Sequence, residues 1–154
     1  MVYTYSMRNG YFGVGVYHPK YGVNIGTLMR SASAFGANFI YTVGRRYKRQ
    51  ASDTVAASNH IPCYHYLTLD DLLANLPVGC RLVGIELAGG SLPLNKYKHP
   101  QQVCYLLGAE DHGLPPEVMA RCHELIEIPG ADACLNVATA GSIVMYDRKV
   151  RQGK

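Results

Sequence analysis

Three segments of the chain place polar side chains and glycines where a strand is predicted to end or a helix to begin. One runs from Asn24 to Arg30, a second from Gly108 to Gly113 with Glu110 inside it, and a third leads into Asn136. In α/β proteins such junctions bind ligands, because unpaired backbone N–H groups point outward there. An amide, a carboxylate and a guanidinium could together hold a polar or phosphorylated ligand.

Other candidate chemistries have less support in the sequence. The segment Gly13 to Gly15 lacks the third glycine of a dinucleotide-binding turn, and no P-loop lysine pattern occurs, so neither NAD nor ATP is indicated. His60, Cys63 and His65 supply three ligand types without a fourth, so an ordinary strand edge is favoured over a metal site. Cys134 as a covalent nucleophile lacks a dedicated histidine partner. We therefore expect no metal.

Periodicity predicts alternating strands and helices along the chain. Strands are predicted over Tyr11 to Tyr17 (half-buried), Phe39 to Val43, Ile61 to Tyr66, Arg81 to Leu87, Val103 to Leu107 and Leu125 to Ile128. Helices are predicted from an Asn24 cap to Gly36, after Thr68, from Pro115 and Pro116 through His123, and from Leu135 or Asn136. This alternation predicts an α/β fold with a mostly parallel sheet of five or six strands and helices on both faces.

Length and composition indicate one globular domain over residues 1–154, with the first ten residues as a tail. The 154 residues are 48% hydrophobic and 17% charged, without a low-complexity run. Five cysteines form no Cys-x-x-Cys pair, so a disulfide framework is not expected. No leader-like N-terminus and no long apolar run are present, so we expect a cytoplasmic protein without a membrane span.

The basic residues are clustered. Of fifteen Lys and Arg, eight lie in two groups: Arg45, Arg46, Lys48 and Arg49, then Arg148, Lys149, Arg151 and Lys154. Dense positive charge favours a phosphate backbone through counterion release, and Tyr47 in the first group offers a face for base stacking. On charge alone, a solvated loop and a frayed helix end are an equal alternative.

The three motifs, in their order and spacing, resemble the SpoU/TrmH family of RNA ribose methyltransferases in the SPOUT superfamily. These motifs are Asn24 followed six residues later by Arg30, then Gly-x-Glu-x-x-Gly-Leu from Gly108, then Leu-Asn-Val-Ala from Leu135. The resemblance covers roughly Tyr11 to Asp147. It implies a C-terminal trefoil knot, S-adenosylmethionine as cofactor, and a homodimer in which both subunits build the site.

The resemblance also implies the site residues and the substrate. Arg30 would contact the substrate ribose, with Asn24, Glu110 and Asn136 organising the site. The implied cofactor-binding residues are Leu87, Ala88, Gly108, Glu110, Gly113, Ile128, Leu135 and Asn136. The first basic group, Arg45, Arg46, Lys48 and Arg49, would bind RNA, with tRNA favoured over rRNA and the anticodon wobble ribose as the leading target.

Two alternatives remain open at the level of sequence. Many relatives have serine where this chain has Cys134, and a thiol is a weaker hydrogen-bond partner than a hydroxyl. One alternative is therefore a catalytically silent RNA-binding protein of the same fold. The other is a small nucleotide-binding regulatory α/β domain without an RNA partner.

Overall fold

The computed structural model describes residues 10–48 and 61–152, and the predicted tail lies almost wholly outside them. The strands are β1 (Tyr11–Tyr17), β2 (Phe39–Val43), β3 (Cys63–Tyr66), β4 (Arg81–Ile85), β5 (Leu92–Pro93), β6 (Gln102–Leu107) and β7 (Glu124–Glu127). The helices are α1 (Gly22–Phe35), α2 (Leu69–Asn75), α3 (Pro116–Met119) and α4 (Val137–Gln152), with a short 3-10 helix over Leu94–Lys96.

The strands form one parallel sheet in the order β3-β2-β1-β6-β4-β7-β5. The α/β class and the parallel sheet are confirmed, but the predicted count of five or six strands is wrong because the sheet has seven. The additional strand, β5, is only two residues long and lies in the Gly- and Pro-rich loop after β4. A segment this short carries no periodicity from which a strand could be predicted.

The interior strand β1, between β2 and β6, is buried on both faces, which corrects the prediction of a half-buried strand. Phe12, Val14 and Val16 point to one side as predicted. On the other side, a Cβ atom at Gly15 would lie 2.3 Å from the ring of Tyr41. The glycines of β1 therefore leave room for aromatic rings from β2, and the apparent alternation reflects close packing rather than contact with solvent.

Helices cover both faces of the sheet. On one face α1 and α4 lie side by side over Val14 and Tyr105, and on the other α2 and α3 cover a cluster that includes Tyr41 and Leu106. Because all strands are parallel, their carboxyl ends share one edge of the sheet. The loops that follow β1, β4, β6 and β7 therefore converge on the same side of the molecule.

Three helix boundaries differ from the sequence predictions. α1 begins at Gly22, so Asn24 lies inside its first turn and is not the N-cap. α3 ends at Met119 rather than reaching His123, whose Nδ1 accepts the Leu82 N–H over 2.9 Å. α4 begins one residue after Asn136.

Other local predictions agree with the structure. Thr68 caps α2 in a capping box with Asp71, and Gly36 ends α1 in the left-handed conformation. All five cysteines are free thiols. Within residues 10–48 and 61–152, none of the helices has the length and apolar character needed to span a membrane.

Candidate active-site cleft

A cleft of about 310 Å³ opens where β4, β6 and β7 end at the carboxyl edge of the sheet. Three separate loops line it: Glu86 and Leu87 after β4, Gly108 to Gly113 after β6, and the segment from Ile128 to Leu135 between β7 and α4. The three loops on which the sequence analysis placed the cofactor thus meet in space. Their convergence follows from parallel strands that end at one edge.

A chain of side-chain hydrogen bonds links the three sequence motifs beside this cleft. The Asn24 Nδ2 amide donates to Glu110 Oε1 over 2.9 Å, and Asn136 Nδ2 donates to Asn24 Oδ1 over 2.9 Å. Asn136 Oδ1 in turn accepts the Thr139 N–H over 3.1 Å, so Asn136 caps α4. Asn24, Glu110 and Asn136 therefore form one contiguous polar unit.

The Glu110 carboxylate is the most heavily bonded group of this unit. Its Oε2 accepts the Lys20 N–H over 2.8 Å, and its Oε1 accepts the Tyr21 N–H over 3.2 Å as well as the Asn24 amide. Partial burial opposes ionisation, but these hydrogen bonds outweigh it and hold the pKa of Glu110 below its usual value. Glu110 is therefore ionised at neutral pH and fixes the start of α1 against the loop after β6.

Glu86 is a residue of the cleft that the sequence analysis missed. Its Oε2 accepts the Leu114 N–H over 2.8 Å and its Oε1 accepts the Leu87 N–H over 3.1 Å, which ties the loop after β4 to the loop after β6. A Cβ at Gly113, where φ is +64°, would lie 2.4 Å from Glu86 Oε2. An acidic residue directly after a buried strand is the signal that could have identified it.

The implied cofactor-binding residues are distributed unevenly around the cleft. Leu87, Gly108, Glu110, Gly113, Ile128 and Leu135 line it. Ala88 does not, because its N–H and C=O are directed to Ser91 within the turn. Asn136 lies at the mouth, bonded to Asn24, rather than on the wall. Cys134 lines the cleft as an exposed free thiol.

Arg30 lies on the exposed surface of α1 and is not among the residues that line the cleft. Four residues earlier, Gly26 lies beside Tyr47. A Cβ atom added at Gly26 would be 3.7 Å from the Tyr47 hydroxyl oxygen. Within the described single chain, Arg30 is exposed and forms no hydrogen bond or ion pair with Glu110 or Asn136.

Arg45, Arg46 and Lys48 are exposed in the loop that follows β2, and Arg49 lies outside the described residues. Tyr47 between them, which the sequence offered as a face for base stacking, is only partly exposed. Its ring packs partly buried against the core on the α1 side, and its hydroxyl is buried. Tyr47 anchors the basic loop to the protein.

Two members of the second basic group, Arg148 and Arg151, make contacts within the fold. Arg148 is only 2% exposed, and its guanidinium donates to the carbonyls of Pro100 and Gln101 over 2.6 and 2.9 Å while lying above the Phe12 ring. Arg151 binds Asp147 and the Asn95 carbonyl. Both cations hold α4 against the segment before β6, but only the Arg148 guanidinium is buried there, whereas the Arg151 side chain stays 40% exposed.

A metal site has no support in the part of the chain that the structure describes, where no group of three metal-ligating side chains forms. His60, one of the three residues considered from sequence, falls outside that part. His65 Nδ1 instead pairs with Thr42 Oγ1 over 3.0 Å across strands β3 and β2.

Comparison with known proteins gives a match to the family described as SpoU rRNA Methylase over residues 12–146. The tRNA (guanosine(18)-2'-O)-methyltransferase of Escherichia coli is 25% identical over 129 residues, which are 80% of this chain and 56% of that protein. The 23S rRNA (guanosine-2'-O-)-methyltransferase RlmB of Acinetobacter baylyi is 30% identical, over 80% of this chain and 53% of that protein. The chain thus spans about half the length of these curated relatives.

Two solved structures share the fold closely. The AdoMet-bound rRNA methyltransferase from Sinorhizobium meliloti superimposes with a TM-score of 0.80 at 26% identity, over 94% of this chain and 60% of that one. A structure described as giving insights into the 2-OH methylation of C/U34 on tRNA also has a TM-score of 0.80 and 26% identity, and covers 95% of this chain and 99% of its own.

Proposed function

Because the chain belongs to the SpoU rRNA Methylase family, we propose that it transfers a methyl group from S-adenosylmethionine to a ribose 2′-hydroxyl of RNA. The observation that carries the proposal is the hydrogen-bonded unit of Asn24, Glu110 and Asn136 at the mouth of the cleft. This unit joins all three motifs of the family resemblance at one point. The AdoMet-bound relative of the same fold supports the choice of cofactor.

The residues of the cleft fit this cofactor chemically. Leu87, Ile128, Leu135 and Val137 give an apolar wall suited to an adenine ring. Four carboxylates, those of Glu86, Glu110, Asp111 and Glu127, line the cleft, and among the described lining residues there is no lysine or arginine. Such a site favours a ligand with positive charge, as a sulfonium has. When bound, the cofactor supplies a methyl group on a cationic sulfur.

The remaining chemistry is alignment and charge stabilisation by the protein. Glu110 fixes the loop after β6 to α1, and Asn136 ties α4 to the same point, so the walls keep their spacing when ligands enter. Arg30 would orient the ribose hydroxyl and stabilise the negative charge that develops on its oxygen. A guanidinium holds its proton too tightly to act as a base at neutral pH.

We propose a homodimer, which the exposed position of Arg30 supports. If Arg30 serves the reaction while facing solvent in one chain, a second copy must bring it to the cleft. α1 and α4 lie side by side, with Ser31 and Ser142 hydroxyls 2.7 Å apart, and they expose Val23 (60%), Tyr146 (57%) and Val150 (41%). An exposed apolar surface of this kind suits a self-complementary interface. We include the family's trefoil knot around α4 in the proposal.

We propose tRNA as the substrate, with the wobble ribose of the anticodon as the leading target, and the cytoplasm as the location. The relative described for C/U34 methylation is matched over nearly its whole length, which favours tRNA over rRNA. The exposed cations Arg45, Arg46 and Lys48, together with Arg49, would contact the phosphate backbone.

Mass spectrometry of nucleosides tests the proposal. RNA from cells with and without the gene is separated into tRNA and rRNA and digested to nucleosides. We expect one 2′-O-methylated nucleoside to disappear from the tRNA fraction when the gene is absent. Loss of the nucleoside from the rRNA fraction instead would identify rRNA as the substrate. Unchanged 2′-O-methylation, together with RNA binding by the protein, would favour the catalytically silent alternative. Absence of RNA binding at low salt would favour the regulatory domain.

A further inference from the structure

Tyr21 is an exposed aromatic residue at the mouth of the cleft whose role neither the fold nor the proposed reaction explains. It is 51% exposed and immediately precedes α1. Its N–H donates to Glu110 Oε1, the same oxygen that accepts the Asn24 amide. The ring therefore belongs to a residue that is joined directly to the polar unit of the site.

The backbone of Tyr21 is held on both sides. Its N–H is bonded to Glu110 over 3.2 Å, and its carbonyl accepts the Asn24 N–H over 3.2 Å. The Lys20 ammonium lies 5.3 Å from the centre of the ring and is itself paired with Asp111. An aromatic side chain on a backbone that is already fixed, next to a cation, can contact a ligand at low cost in conformational entropy.

The surface around Tyr21 is continuous with the exposed basic loop. His18 N–H donates to the Val43 carbonyl over 2.7 Å, and the His18 ring lies so close to Gly44 that a Cβ there would fall 2.2 Å from Nε2. The loop of Tyr21 is thereby packed against the start of the loop that carries Arg45 and Arg46. One surface thus joins exposed guanidinium groups to an exposed ring.

RNA carries its base on the ribose carbon next to the one that bears the 2′-hydroxyl. A ribose that enters the site at Asn24 and Glu110 must therefore place its base near the mouth. We propose that Tyr21 stacks on a nucleobase of the RNA there, which adds a sequence-tolerant grip to the phosphate contacts. The proposal rests on RNA being the substrate, and it assigns base stacking to the exposed Tyr21 rather than to Tyr47, which is partly buried against the core.

The chain contains no tryptophan, so a single substitution creates a local fluorescent reporter. We compare Tyr21→Trp with Val78→Trp, because Val78 is 99% exposed and precedes β4, at the opposite edge of the sheet. The probes are an oligouridylate of about ten nucleotides and an abasic sugar-phosphate oligomer of equal length. Binding of each labelled oligomer is followed in parallel by fluorescence anisotropy.

We expect oligouridylate to quench the tryptophan of Tyr21→Trp, the abasic oligomer to leave its emission unchanged, and Val78→Trp to respond to neither. In addition, Tyr21→Ala should bind oligouridylate about tenfold more weakly than the wild type, Tyr21→Phe about equally, and the abasic oligomer should not distinguish them. These effects would show base stacking rather than loss of the fold.

Oligouridylate that binds without quenching the tryptophan of Tyr21→Trp would overturn the proposal while leaving RNA as the substrate. Emission that changes with protein concentration alone would show that a second copy covers this residue, which also overturns it. The same titration is made with tRNA: tRNA that binds without quenching overturns the stacking role alone, and if neither the oligomers nor tRNA bind at low salt, RNA is not the partner and the proposed function fails together with the stacking role.

Discussion

Asn24 and Glu110 are 86 positions apart in sequence, yet the amide of one donates to the carboxylate of the other over 2.9 Å. The contact fixes the first turn of α1 to the loop after β6. Asn136 at the start of α4 donates to Asn24 Oδ1 over 2.9 Å. A substitution at any of the three residues should therefore change the hydrogen bonding of the other two.

Glu110→Gln should lower S-adenosylmethionine affinity about tenfold, which corresponds to about 1.4 kcal/mol. The substitution turns one acceptor oxygen into an NH₂ group that faces N–H donors of Lys20, Tyr21 or Asn24. Isothermal titration calorimetry measures the change. The matched control is Glu117→Gln, since Glu117 is exposed on α3 outside the cleft. Equal affinity in both variants would remove Glu110 from cofactor binding.

Arg30→Ala should abolish methyl transfer and leave S-adenosylmethionine affinity nearly unchanged. Arg30 does not line the cleft of its own chain, so its loss removes stabilisation of the reacting ribose oxygen and no cofactor contact. Transfer of labelled methyl and calorimetric binding are measured on the same preparation. Full activity in this variant would refute the assigned role.

Glu127→Gln should weaken binding of S-adenosylmethionine more than binding of S-adenosylhomocysteine, which lacks the sulfonium charge. Glu127 is one of four carboxylates that line the cleft, and removing it lowers the negative potential felt by a cation. We expect the ratio of the two dissociation constants to change about threefold. An equal loss of affinity for both ligands would show that the charge of Glu127 does not contribute to sulfonium binding and that only its shape matters.

Replacing Arg45, Arg46, Lys48 and Arg49 by Gln should weaken RNA binding and flatten its dependence on salt. For each phosphate that the variant no longer neutralises, the slope of log affinity against log salt becomes shallower by about 0.7 to 0.9. Filter binding or anisotropy at several salt concentrations gives the slope. Lys96→Gln together with Lys98→Gln, both exposed in the segment before β6, is the control for removal of positive charge from a different surface. An unchanged slope would show that RNA binds to another surface of the protein.

His99 should make the stability of the fold depend on pH. Burial lowers the pKa of His99, and the positive charges of Arg148 and Arg151 lower it further. The Asp147 carboxylate, whose Oδ2 lies 2.9 Å from His99 Nε2, raises the pKa but does not cancel these effects. The unfolded chain therefore binds a proton at higher pH than the folded chain does. Stability from this residue is complete above the unfolded pKa, about 6.5, and is lost as pH falls toward the lower folded value.

Urea unfolding at about pH 7.5 and about pH 5.5 measures the effect in wild type and in His99→Gln. The free energy of unfolding of the wild type should fall more between the two conditions than that of the variant. An equal fall in the free energy of unfolding of both proteins would show that groups other than His99 cause the loss of stability at acid pH.

The carboxyl-edge loops and the main elements were predictable from sequence because their signals are local. The strand over the apolar run Phe39–Val43 was predicted with the bounds that it has in the structure, and Thr68 correctly indicated the start of α2. Glu110 could be singled out because an acid between glycines follows a buried strand. These features depend on neighbours within a few positions, which is what periodicity and capping report.

Features that depend on distant partners could not be predicted. Arg148 is an ordinary basic residue near a helix end until the carbonyls of Pro100 and Gln101 surround it. Asn24 resembles an N-cap in sequence, but its side chain is bonded to Glu110 and Asn136 instead. In both cases tertiary hydrogen bonds decided the side chain's role, and sequence spacing does not record them.

The most direct measurement of the central claim is transfer of labelled methyl from S-adenosylmethionine to purified tRNA of a strain that lacks the gene, followed by digestion and nucleoside analysis. The account predicts label in a single 2′-O-methylated nucleoside with the wild-type protein and none with Arg30→Ala. Label on a base, or no label although both cofactor and tRNA bind, would contradict it.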